Sequence, residues 1–126
     1  MYLLRNKSKV GTGFFEAGNF YPDYIMWIAE GDKQYITFID PKGIRMLEKN
    51  INNPKINFYK TIKDLEARLQ PTCAEKQIVL NSFIISGTPA ADACVSYNVK
   101  KQEFESRNVL FLEDEDCVEK MMSKLL

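Results

Sequence analysis

Histidine is absent from this 126-residue sequence. Its absence excludes Ser-His-Asp hydrolase triads, His-ligated zinc sites and histidine-dependent nuclease chemistry. Cysteine is scarce: Cys73, Cys94 and Cys117 are odd in number and too far apart for a CxxC pair. Neither a disulfide framework nor a zinc ribbon is expected, and a reducing cytoplasm is the expected compartment. Net charge is also lacking, with 17 basic and 17 acidic residues. No stretch approaches the roughly 18 apolar residues of a membrane span. The opening Met1-Tyr-Leu-Leu-Arg5 has no signal-peptide apolar region. What remains is the composition of one ordinary soluble domain, 45% hydrophobic and 27% charged. Such a chain can bury about two thirds of its unfolded surface.

The charge balances only in total. Residues 1–63 carry ten Lys or Arg against six Asp or Glu, a net +4, and residues 64–126 carry the opposite net −4. An anionic partner would meet the first half, although an excess of four is within chance.

The local patterns alternate between strand and helix. Met1–Arg5 reads as a short strand, and the glycine-bearing segment 6–19 as loop. Tyr24–Glu30 and Gln34–Asp40 are apolar and rich in β-branched and aromatic residues, and Gly31-Asp32-Lys33 joins them as a hairpin turn. A short helix is expected near 44–51. A better one spans Asn57–Leu69, where Phe58, Ile62, Leu65 and Leu69 form a stripe and Pro71 follows. Gln77–Ser86 reads as a buried strand, 87–107 as loop with a short helix, Asn108–Leu112 as a last strand and Asp114–Leu126 as a helix with an acidic start. The expected class is α/β, a mixed α+β layer structure around one sheet.

The chemistry gathers at the hairpin. Asp23 opens its first strand and Asp40 ends its second. In an antiparallel hairpin these two ends lie side by side, and Lys42, two residues on, shares a face with Asp40. Two hard oxygen donors can hold Mg²⁺ with water completing its shell. Such an ion polarises a phosphodiester and acidifies a bound water, while a lysine orients the water or meets the developing charge. A plainer reading stands beside this one. Asp40-Pro41-Lys42-Gly43 has the Asp, Pro and Gly placement of a type I turn, and Pro22-Asp23 is a common turn dipeptide.

Pro22-Asp23, a hairpin and then Asp40-x-Lys42 resemble the PD-(D/E)XK nuclease signature. The words around them extend the likeness: Gly13-Phe-Phe-Glu-Ala-Gly-Asn-Phe-Tyr-Pro-Asp-Tyr-Ile-Met-Trp, Gln34-Tyr-Ile-Thr-Phe-Ile-Asp-Pro-Lys-Gly and Val79-Leu-Asn-Ser-Phe-Ile-Ile-Ser. These resemble the C-terminal nuclease domain of type III restriction-like proteins with DEAD/DEAH-box helicase motors, over about residues 2–125. The resemblance implies a restriction-endonuclease-like three-layer core, with a central mixed sheet flanked by helices. It implies a Mg²⁺-dependent DNA endonuclease, with Mn²⁺ as a substitute, linked to a helicase/ATPase region and working with a modification or specificity subunit. Asp23 and Asp40 would be metal ligands, the Pro41 carbonyl a further donor and Lys42 the catalytic lysine. Glu16 is a weaker ligand candidate, because the family places an acid on a helix before the first strand and Glu16 lies in glycine-rich sequence. The family core begins with a helix, whereas this chain opens almost on a strand. Residues 1–126 are therefore expected to be one nuclease-like domain cut from the C-terminal part of a longer protein.

Tyr21 is the aromatic best placed to meet a nucleotide, and Lys7, Lys9, Arg45 and Lys49 flank the site as candidate phosphate contacts or as a solvated face. Trp27, in its apolar run, reads as core. The cysteines read as buried or neutral thiols. The acids at 113–116 read as helix-start charge. The rival to catalysis is a docking module of the same fold that binds DNA or a subunit without cleaving.

Overall fold

The hairpin forms because one glycine permits its turn. Strand β2 (Tyr24–Glu30) and strand β3 (Lys33–Lys42) pair antiparallel from Tyr24↔Ile39 to Glu30↔Lys33. Only Gly31 and Asp32 connect them. Gly31 has φ +59°, and Asp32 is not among the positive-φ residues, the combination of a type II′ turn. In this computed structural model the structure describes residues 2–6, 22–42, 50–69 and 77–125, with Lys42 described through its backbone.

Strand β1 (Tyr2–Arg5) adds antiparallel to β2. Helix α1 (Phe58–Leu69) lies between β3 and strand β4 (Gln77–Ser86), which pairs parallel with β3 along its whole length. Helices α2 (Ala90–Tyr97) and α3 (Lys101–Ser106) precede strand β5 (Val109–Phe111), parallel to the end of β4, and helix α4 (Cys117–Leu125) follows. Among the described residues the result is a mixed five-stranded sheet in the order β1-β2-β3-β4-β5 with four helices.

The period of two along each strand divides the core. Phe38 and Leu80 point to one face, where Phe58 and Ile62 of α1 cover them. Ile84 and Val109 continue that face under Ala93 of α2 and Phe104 of α3. Phe104 stacks edge-on between Tyr97 and Phe111, with centroids 5.1 and 5.7 Å away. Met26, Tyr35, Ile39, Phe83 and Leu110 point to the other face and meet Cys117, Met121 and Leu125 of α4. Helices thus flank both faces.

The outer edge of β4 is closed by side chains where β5 is too short to reach. The Leu80 N–H donates to the Glu66 carboxylate at 2.7 Å, and Asn108 Nδ2 donates to the Ser82 carbonyl at 3.1 Å. An edge capped in this way offers fewer free groups to another chain.

Three expectations change, and one choice left open by the sequence is decided. Residues 87–107 hold two helices, not one, separated at Asn98, whose left-handed φ of 54° ends α2. The final helix starts at Cys117, because the acids before it form turns that serve other groups. The Glu113 carboxylate accepts from the Ala90 N–H at the start of α2 (2.8 Å), and Asp114 pairs with Lys101 (3.0 Å) and Lys120 (3.2 Å). Trp27 is 42% exposed and not core, since it stands opposite Tyr2 on the β1 side of the sheet, outside the cluster that α1 builds on Phe38 and Leu80. Asp40-Pro41-Lys42 continues β3 rather than forming a turn, through pairing with Ile84, Ile85 and Ser86. The helix expected near 44–51 lies largely outside the described residues.

Candidate active site at the hairpin end

The hairpin register brings the two carboxylates together. Tyr24 pairs with Ile39 as the last rung of the β2–β3 ladder, so Asp23 and Asp40 each lie one residue beyond it, at the same end of the hairpin. Asp40 lies on the α1 side of the sheet, because it follows Phe38 by two residues in β3.

Proline fixes where the pairing stops. Pro22 precedes Asp23 and Pro41 follows Asp40, just beyond the paired residues. Neither proline has an N–H to extend the β2–β3 ladder, while β3 runs on against β4 alone. The acids therefore sit one residue past the last rung, at the carboxyl end of parallel strand β3, where α/β sheets commonly place their sites.

Asn6 anchors the other side of Pro22-Asp23. Its backbone N–H donates to the Asp23 carbonyl at 2.7 Å, and its Nδ2 donates to the Pro22 carbonyl at 2.9 Å. Sequence reasoning missed this residue. The only available signal was an amide side chain directly after the first strand.

The two acids differ in environment. Asp23 is exposed, and Asp40 keeps only 4% of its surface. A ligand held between them would touch solvent on one side and protein on the other. Pro41 is exposed. Position 42, two residues beyond Asp40, is paired by its backbone with Ser86. Among the described residues no group of three or more Asp, Glu, Cys or His forms a potential metal cluster, so the pair is a two-carboxylate site. Glu16, Tyr21, Lys7, Lys9, Arg45 and Lys49 lie outside the described residues.

The β4–α2 turn closes the same end of the sheet. Ser86 Oγ donates to the Thr88 carbonyl at 2.9 Å and accepts from the Thr88 N–H at 3.1 Å. Both residues are buried, so this turn forms a firm floor beside position 42.

Cys117 is buried on the opposite face, and burial together with the nearby Asp114 charge pushes its thiol pKa up. It is not poised as a nucleophile. No helix among the described residues is long and apolar enough to cross a membrane. Comparison with protein-family models, with curated proteins and with solved structures finds no match for the chain.

Proposed function

We propose that this chain is a PD-(D/E)XK-type nuclease domain that hydrolyses DNA phosphodiester bonds with Mg²⁺, as the C-terminal part of a cytoplasmic, helicase-linked restriction or defence enzyme. The observation that supports the reading is that Asp23 and Asp40 each lie one residue beyond the last pair of the hairpin, at the same end, with Lys42 two residues on in β3. The run β1-β2-β3-α1-β4 also has the order of the nuclease-like core that the sequence likeness implies, from its first strand onward.

The donor set fits a hard divalent cation. Two carboxylates at one end of the hairpin, one exposed and one buried, suit Mg²⁺, which takes few protein ligands and keeps several waters. When bound, the ion supplies Lewis acidity toward the phosphodiester and lowers the pKa of a water. In this reading Asp23 and Asp40 hold the ion, with the Pro41 carbonyl as a further oxygen donor. Lys42 would orient the attacking water or meet the negative charge that builds on the phosphoryl oxygens of the phosphorane. Asn6 holds the Pro22-Asp23 backbone and so sets the position of Asp23.

Asp40→Ala is expected to reduce Mg²⁺-dependent cleavage of DNA by the full-length protein to background while leaving the far-UV circular dichroism unchanged. Unchanged cleavage would overturn the assignment. The docking-module reading has one observation in its favour, the lack of a third metal-ligating side chain among the described residues. Titration with Mn²⁺ separates the two: a nuclease site binds it and loses it with Asp23→Asn, whereas a docking module shows no such difference.

A further inference from the structure

The two faces of the sheet are unequally covered. Among the described residues, α1, α2 and α3 pack on the face that bears Asp40, and only the nine-residue α4 packs on the other. Beside α4 the sheet opens into a cleft of about 510 Å³ at the carboxyl end of the parallel strands. Tyr24, Ile39 and Ile85 form its floor. Leu3, Leu112 and Val118 stand around it 60%, 66% and 65% exposed. Large aliphatic side chains this open, gathered around one cleft, mark an interaction surface rather than scattered exposure.

The shape of the cleft selects a helix. Its lining reaches from β1 to the end of β5. Five strands at about 4.8 Å spacing span roughly 19 Å. That is the length of about 13 helical residues at 1.5 Å rise. A helix lying beside α4 would complete the layer that α4 begins.

The rim selects the charge. Asp114 and Glu115 line the cleft, and Glu113, Asp116 and Glu119 lie on the same turn and helix. Among the described residues these five acids outnumber Lys101 and Lys120, the lysines that pair with Asp114, so the corner is net acidic. A second copy docked by a twofold axis would set acidic rim against acidic rim, and a phosphate backbone would be repelled. We propose that this cleft is a docking groove for a cationic amphipathic helix of a partner protein, with apolar residues on Tyr24, Ile39 and Ile85 and lysines or arginines facing Glu115. Pro41 at the end of β3 borders both the groove and the candidate nuclease site, while Asp40 lies on the opposite sheet face, so peptide binding and DNA cleavage are read separately.

The probe is a fluorescein-labelled helical peptide of about 18 residues built from leucine and lysine, beside a leucine–glutamate peptide of the same pattern. Anisotropy in 0.15 M salt is expected to show saturable binding of the lysine peptide, one per chain, and binding of the glutamate peptide at least tenfold weaker. Leu112→Gln and Val118→Gln, both at exposed positions, should each weaken the lysine peptide at least fivefold with the circular dichroism unchanged. Asp40→Ala should leave binding as it was. Equal binding of the two peptides would overturn the proposal, as would binding unchanged in the Leu112→Gln/Val118→Gln double variant. A concentration-dependent dimer that the same double variant dissolves would assign the groove to a second copy and overturn it as well.

Discussion

Thr37 lies at the centre of β3 with none of its surface exposed, and its Oγ1 finds no hydrogen-bond partner among the described residues. Beside it in the parallel register stands Asn81, whose Nδ2 is also unpaired. A buried hydroxyl without a partner costs about 1–3 kcal/mol. Thr37→Val removes that cost, keeps a β-branched side chain suited to a strand and adds a methyl worth about 0.8 kcal/mol when buried. The net expectation is a gain of about 2–4 kcal/mol. At this chain length that corresponds to a rise in Tm of roughly 7–15 °C. Thr37→Ser provides the control, because it keeps the hydroxyl and loses the methyl, so the order of stability should be Val, then Thr, then Ser. Urea unfolding followed by circular dichroism gives the free energies, and equal m-values establish that the comparison is of stability alone. A Thr37→Val variant less stable than the parent would refute the reasoning. It would mean that the hydroxyl is satisfied, by the Asn81 side chain or by a buried water. Repeating the substitution in an Asn81→Ala background identifies the partner, since a coupling above about 0.5 kcal/mol between adjacent sites reports a direct interaction.

Other consequences follow from named contacts. Glu66→Ala frees the Leu80 N–H on the β4 edge and should cost about 1–2 kcal/mol, with faster aggregation on heating measured by light scattering. The cluster of Asp114 with Lys101 and Lys120 ties α3 and the β5–α4 turn to α4. The two lysines hold the Asp114 pKa below the usual carboxylate value, so its stabilisation is present above that value and is lost as pH falls through the lowered one. Glu105 and Asp114 raise the Lys120 pKa, so its share persists through neutral pH and is lost only as pH rises above the ordinary lysine range. The Tm difference between the parent and Lys120→Met should therefore be flat between these limits and vanish in strong acid, and a difference that persists there would refute the pairing. Cys117, with its raised pKa and buried thiol, should alkylate more slowly at pH 8 than the half-buried Cys94, as mapped by peptide mass spectrometry.

The elements that sequence reasoning placed well are those whose pattern is local. Gln77–Ser86 is a strand because an apolar, β-branched run admits little else, and its ends match the structure. The stripe of Phe58 and Ile62 likewise marks α1. Where the pattern depends on a distant partner, the reading failed. Trp27 sits in an apolar run that looks like core, but its burial is decided by where α1 lies over the sheet, and α1 begins thirty-one positions later. The acids at 113–116 look like a helix start, yet Glu113 serves α2 and Asp114 serves Lys101 on α3. No local rule assigns a carboxylate to a helix that precedes it in the chain.

The candidate site shows the same division in its sharpest form. Asp40-Pro41-Lys42-Gly43 satisfies two rules at once, a turn rule and a strand-end rule, and nothing within those four residues chooses between them. The choice is made by β4, whose Ile84, Ile85 and Ser86 pair with Asp40, Pro41 and Lys42 from more than forty residues away. A turn would have aimed positions 40 and 42 in unrelated directions. A strand keeps Asp40 on the face of Phe38, and the end of the β2–β3 ladder brings Asp23 to the same end of the hairpin. Proline, which in sequence argued for the turn, has the opposite role in the fold. Pro22 and Pro41 stand just beyond the acids, and neither has an N–H with which to extend the antiparallel ladder. Replacing Pro41 by valine restores an N–H and permits one more rung. If the nuclease reading is right, Pro41→Val should lower Mg²⁺-dependent cleavage more than stability, because the added rung draws the Asp40 end of β3 toward β2. A variant that cleaves DNA like the parent would show that the end of the ladder does not set the geometry of the acid pair.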